Sequence, residues 1–166
     1  MILVPKFKNT IEVQGALSII VTDTITNTVR QEMYIPNLVV STGKTFIASR
    51  MVGTSAAIMS HMGIGTNSTT ELVGDTALGA ELTVAGGYTG YARAALSIAT
   101  SSSNVVTYSA NFAANNPSAP SGGAVLREAG IFNASTAGTM LCRTTFPTVT
   151  KLPADALTIT WTITIQ

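Results

Sequence analysis

The sequence predicts a mainly β protein: an antiparallel β-sandwich or barrel, jelly-roll-like, with one short helix near residues 43–52. Three observations lead there. Short runs rich in Val, Ile, Thr and aromatic residues recur between clusters of Gly, Pro, Ser and Asn, the pattern of many brief strands joined by turns. The closing stretch LTITWTITIQ alternates large apolar residues with threonine, the two-residue period of a strand with one buried face. Helical spacing shows in a single place, and no period of about 20–50 residues suggests a solenoid.

Taken in order, residues 11–22 and 28–35 read as two strands around a polar turn at Asp23–Asn27, ended by Pro36 and Asn37. Leu38-Val39-Val40 resumes extended structure. Ser41 or Thr42 offers an N-cap oxygen for the helix, in which Phe46, Ile47, Arg50 and Met51 share a face, and Gly53 is its expected C-terminal stop. Residues 56–65 look like a buried strand running into a glycine turn, and 66–81 like caps and turns. Further strands are expected at 91–99, 104–112, 125–132, 139–146 and 157–165. The domain reading is an N-terminal hairpin or arm, 1–40, packed on or exchanged with a neighbour, and a β-sandwich core, 41–166; the whole also suits a single domain.

Charge is scarce. Only 10% of the 166 residues are ionisable Asp, Glu, Lys or Arg, against about a quarter in ordinary soluble domains, and mean hydropathy is +0.38. A chain of this composition is expected to hide surface against other subunits. No run reaches the ~18 apolar residues of a spanning helix, so no membrane role is expected. MILVPKFKN, broken by Pro5 and two lysines, is not expected to act as a secretory signal. With net charge +1 and no basic stripe, nucleic-acid binding is not expected either.

Catalytic material is equally thin. His61, the single histidine, sits in IMSHMGI without an evident nucleophile or carboxylate beside it, as a structural histidine would. Cys142, the single cysteine, lies in an apolar strand-like run and reads as a small buried hydrophobe. Glu71, Asp75 and Glu81 come nearest to an acidic cluster, but turn hydrogen bonds explain them better than glycosidase chemistry. Gly43-Lys44-Thr45 lacks the first glycine of a phosphate loop, and Gly63-Ile64-Gly65 lacks the third of a dinucleotide fingerprint. No catalytic residue, cofactor or metal is therefore expected, and the chain is read as not an enzyme.

A series of short phrases carries a resemblance. Asn37-Leu38-Val39-Val40 with Gly43 precedes Met62-Gly63-Ile64-Gly65-Thr66; Asp75-Thr76-Ala77-Leu78 with Glu81-Leu82 follows. Then come Arg127-Glu128-Ala129-Gly130-Ile131-Phe132-Asn133, Gly138-Thr139-Met140-Leu141 with Arg143, and the alternating terminal strand. In order and spacing through most of residues 37–165 this resembles a family of tailed-bacteriophage virion proteins, seen at the attachment end of tail fibres and as small head or tail components. A complete tail fibre, which would add a shaft, repeats or a receptor-binding tip after such a module, is not expected.

The resemblance implies a virion structural protein assembled in the host cytoplasm, with a capsid decoration or cement protein as first choice and a tail or fibre-adaptor subunit as alternative. Its implied partners are copies of itself, as a trimer or other symmetric homo-oligomer, and the major capsid protein or other virion proteins. Two groups of residues are the expected interface: Ile2, Leu3, Val4 and Phe7 in the arm, and Thr158, Thr160, Thr162 and Thr164 on the terminal strand. That strand has no guarding charge, so it is either central in its sheet or offers an edge or its threonine face to another chain. Arg127 and Glu128 adjoin and should face opposite ways, with Arg93 or Arg143 as ion-pair partners, a within-chain pair being the favoured reading. A different class, a carbohydrate-binding module, would use Tyr88, Tyr91 or Trp161.

Overall fold

A computed structural model describes residues 11–53, 57–102, 104–119 and 122–166. Ten strands and one helix appear among them: β1 (Val13–Asp23), β2 (Thr28–Pro36), β3 (Leu38–Val39), α1 (Ser41–Met51), β4 (His61–Gly65), β5 (Ala94–Ala95), β6 (Ser97–Ser102), β7 (Val105–Phe112), β8 (Ala124–Phe132), β9 (Met140–Lys151) and β10 (Asp155–Ile165). They form two five-stranded antiparallel sheets, sheet A in the order β2-β1-β10-β7-β6 and sheet B in the order β3-β9-β8-β4-β5. This is the sandwich of the two architectures the sequence allowed; neither sheet closes into a barrel.

Alternation builds the core. From sheet A, Leu17, Ile19 and Val21 of β1 and Leu157, Ile159, Trp161 and Ile163 of β10 point inward. From sheet B they meet Met62, Ile64, Leu126, Ala129, Ile131 and Val149. Each large aliphatic side chain buried there contributes about 1.5–3 kcal/mol. At the β1–β2 turn, the Asp23 carboxylate accepts from the Ile25 and Thr26 amides at 2.9 and 3.1 Å, and Asn27 takes a left-handed φ of 55°. Ile165, at the end of the apolar series, is 38% exposed.

The terminal strand β10 is the third of five, paired with β1 over Val13–Asp23 and with β7 over Val105–Phe112, so it presents no edge. By the same pairing the β1–β2 hairpin is a member of sheet A, packed on the core. Residues 1–10 of the expected arm, with Ile2, Leu3, Val4 and Phe7, lie outside the described residues.

Several elements differ from their sequence reading. Helix α1 starts at Ser41 behind an extended Val40, with no side-chain cap; Ser41 donates its amide to the Val73 carbonyl, and the Thr42 hydroxyl reaches Met140 O. Tertiary bonds have displaced the local cap. Gly53 does end the helix, at φ 71°. The run 91–99 is two short strands in different sheets, because the chain crosses over at Leu96, whose amide binds Ser60 O. The strand read at 56–65 covers only His61–Gly65. β9 continues to Lys151, through Pro147, because the β8–β9 register shifts there and no ladder bond is asked of the proline.

Ile159 is fully buried while Thr160 is half-exposed on the other face of the same strand. Ile159→Ala is expected to destabilise the fold by about 2–5 kcal/mol, and Thr160→Ala by about 1 kcal/mol or less, as read from denaturant unfolding midpoints.

Candidate functional site

The outward face of sheet A is a regular surface that the described residues leave partly exposed. Its strands place Gln14, Ala16, Ser18 and Ile20 of β1 beside Thr164, Thr162, Thr160 and Thr158 of β10, and those beside Val105, Thr107, Ser109 and Asn111 of β7. Towards the β2 edge come Pro36, Tyr34 and Glu32; towards the β6 edge, Ala99 and Ser97. Glu32 is the one charged residue among these positions, and it accepts a hydrogen bond from the Tyr34 hydroxyl at 3.0 Å. Cross-strand bonds order the hydroxyls: Ser109 Oγ lies 3.1 Å from Thr160 Oγ1, and Asn111 Nδ2 donates to Thr158 Oγ1 at 3.0 Å. Gln14, Ala16, Thr162 and Thr164 line a shallow depression of about 150 Å³. All four predicted threonines are thus brought together, half-buried and facing out. Their partners from β1 and β7 were missed. The signal for them is the run of small and polar residues at alternate positions 14, 16 and 18, which only the register turns into one face.

Sheet B is covered on its outward side over β4, the end of β8 and the start of β9, while Val125, Pro147, Thr148 and Thr150 stay exposed, and the cover is held by charge. Glu128, fully buried on the outward side of β8, accepts from Arg143 Nε at 2.9 Å, from the amides of Gly79 and Ala80 at 2.9 and 2.6 Å, and from that of Asn67 at 3.4 Å. Arg143 also bonds Asp75 Oδ2 at 2.7 Å and Thr69 O at 3.2 Å. Glu71 accepts from the Thr145 hydroxyl and amide. These contacts fasten residues 66–82 across the sheet, with Leu78 set into a small outer cluster with Val40, Phe132 and Met140. Gly65 makes room: a Cβ there would lie 2.5 Å from Ala80 O. Gly43 does the same for α1, where a Cβ would overlap the Leu141 carbonyl. Both glycine motifs therefore serve close packing.

The acidic residues read as turn formers do more than that. Asp75 does close a turn by accepting from the Leu72 amide, yet it also pairs with Arg143. Burial pushes its carboxyl up, but the Leu72 amide and the Arg143 guanidinium outweigh that and hold it below its ordinary 3.8. Glu81 makes a two-point pair with Arg93, both contacts 2.8 Å, while Arg93 stacks on Phe132 and bonds Ala134 and Ala137 carbonyls. Arg127 Nε donates to Thr148 Oγ1 at 3.1 Å, where the β8–β9 register shifts. The Glu128–Arg143 ion pair is a within-chain one.

Remaining candidates fall into structural places. His61 Nδ1 lies 2.8 Å from Ser60 Oγ, and among the described residues no carboxylate joins that pair. Cys142 is buried, and burial pushes its thiol well up. Trp161 is fully buried, so its ring offers no stacking face to a sugar. The Tyr91 hydroxyl is committed to Glu81 and to the main chain of Ile64, and Tyr88 packs against the core. Lys151 is buried; burial lowers its ammonium and the nearby Asp155 carboxylate counters this. Among the described residues no cluster of three or more metal-ligating side chains occurs and no helix is long and apolar enough to cross a membrane. Comparison with known proteins finds no family model and no curated protein that matches the chain.

Arg143→Met leaves Glu128 buried without its cation and is expected to cost about 3–5 kcal/mol, measured by equilibrium unfolding. The Asp75 pairing has a defined pH sign. A carboxyl held below its ordinary value stabilises the fold above that value and loses its contribution as pH falls through its lowered value. The chain is therefore expected to lose stability on acidification below about pH 4, whereas Asp75→Asn is weaker at neutral pH and loses that part of the pH slope in the same titration.

Proposed function

We propose that the chain is a non-enzymatic structural protein of a tailed-phage virion, a capsid decoration protein that associates with copies of itself and bridges capsid subunits. The observation that carries this reading is the outward face of sheet A, a broad surface of hydroxyl, methyl and amide groups with Glu32 at its border. Covering such a face strips water from threonine methyls without desolvating ions, and interface centres are depleted of charge for the same reason. The ordered hydroxyls reduce the side-chain freedom lost on contact. Weak contacts of this kind add up when many copies bind one shell, because each is held near the next. The phrases that resemble those of phage virion proteins supply the setting.

The tail or fibre-adaptor reading uses the same face and differs in copy number: hundreds per particle for decoration, about a dozen or fewer for an adaptor. The full chain is expected to run as a trimer or other closed oligomer in sizing with light scattering, and to bind purified heads. Thr160→Lys with Thr162→Lys, both half-exposed, is expected to leave the unfolding midpoint within about 1 kcal/mol while abolishing self-association and head binding. A monomeric full chain that binds neither heads nor tails overturns the proposal.

A further inference from the structure

A groove of about 280 Å³ opens beside the β6 margin of sheet A, lined by Phe46 and Arg50 of α1, by Ile58 and Met59 ahead of β4, and by Ile98 of β6 and Tyr108 of β7. Met59 is buried, whereas Ile58 is 62% and Ile98 43% exposed. Along the groove runs a strand edge with unused main-chain groups. The Ile165 amide donates to Asn104 O, so by the alternation of an antiparallel ladder Val106, Tyr108 and Ala110 of β7 bond β10. Thr107 and Ser109 then bond β6, through Ala99 and Ser97, and Ile98 between those two turns its N–H and C=O away from β7. Leu96 turns the same way, and its amide is taken by Ser60 O; among the described residues nothing takes the Ile98 groups. Arg50 adds charge to this edge. Its guanidinium lies 4.9 Å over the Phe46 ring, near enough to the Tyr108 hydroxyl to oppose the upward push of burial there. All eight Asp and Glu side chains of the chain lie among the described residues, and none of them pairs with Arg50. A cation held on an aromatic ring beside apolar surface, with no carboxylate from its own chain, is matched by one from outside.

We propose that this groove receives an extended peptide segment of a partner protein, apolar on one face and carrying a carboxylate on that face, which adds to β6 as a further strand of sheet A. Main-chain bonds to Ile98 hold the segment, and its alternate side chains give the selectivity. A residue opposite Ile98 turns its side chain to the face that Ile98 shares with Tyr108, among Phe46 and Ile58. An acidic residue at an alternate position on that face meets Arg50. β6, reading SIATSS, has no charge or proline to repel an added strand. A second copy of β6 fits less well, because the same SIATSS brings Arg50 no carboxylate. The inference stands apart from the assembly reading, which uses the opposite, outward face of sheet A, and each holds or fails without the other.

Short end-blocked peptides test it, with valine and threonine alternating and each valine in turn replaced by glutamate, glutamine or lysine. In fluorescence anisotropy the full chain is expected to bind the best glutamate peptide about tenfold more tightly than its glutamine counterpart. That preference is expected to vanish in Arg50→Gln, whose unfolding midpoint stays that of the unsubstituted protein. Bound peptide is expected to slow exchange of the Ile98 amide at least about tenfold. Glutamate and lysine peptides bound equally, or neither bound, overturns the proposal. So does a glutamate preference that survives Arg50→Gln, or binding that leaves Ile98 exchange unchanged. An Ile98 amide whose protection rises with protein concentration in the absence of peptide overturns it in favour of a second copy as occupant.

Discussion

The carboxylate of Glu128 is the fixed point from which the outer layer of sheet B hangs. A fully buried carboxylate is costly unless its lone pairs are filled, and here a guanidinium and loop amides fill them. The pair contributes little net stability over an apolar substitute of the same volume. Its effect is positional: the loop amides of Gly79 and Ala80 have one place to go, and Leu78 is thereby set over Phe132. Loss of that anchor would leave the outward side of β8 and β4 as bare, glycine-rich backbone. Gly65 belongs to the same constraint, since the loop can approach the strand only where no side chain stands.

The charged residues at sheet B share one task. Glu71, Asp75, Glu81, Arg93, Glu128 and Arg143 are all drawn into holding loops against sheet B. The strands of sheet A carry Asp23, Arg30, Glu32 and Asp155, yet of these Glu32 alone stands among the outward positions, which are otherwise mostly threonine, serine and amide. The two sheets thus differ in kind. One is covered over much of its outward side and carries internal ion pairs; the other is buried on one side and ends in partly exposed hydroxyls. A face whose one charge, Glu32, stands at its border has little charge to fix a partner or to repel a copy of itself.

Much of this was legible in the sequence, for identifiable reasons. Strict alternation from Leu157 to Ile163 names a strand and its buried side, and Asp23 to Asn27 names a turn because both residue types have a local bonding reason to be there. What alternation cannot show is the neighbour on each side. A central strand with one solvated face and an edge strand share the same pattern, so β10 was readable as either. Residues 91–99 look like one run because the crossover at Leu96 is decided by a distant acceptor, Ser60 O. Likewise the threonines of the candidate face were visible singly, but Ser18 and Ser109 join them only through the register of three strands far apart in sequence.

The central place of β10 also limits how sheet A can meet another chain. With both ladders of β10 filled, contact must come face to face or at the outer strands β2 and β6. Those two strands are unequal. β2 carries Arg30, Glu32 and Pro36, the charges and missing donor that discourage pairing with a further strand. β6, reading SIATSS, has neither charge nor proline. A sheet guarded along one margin and unguarded along the other, with a neutral face between, favours contacts that are ordered in direction rather than indiscriminate stacking. Directional contact between identical surfaces closes into a ring only where the rotation between copies allows it, and runs into an open filament otherwise.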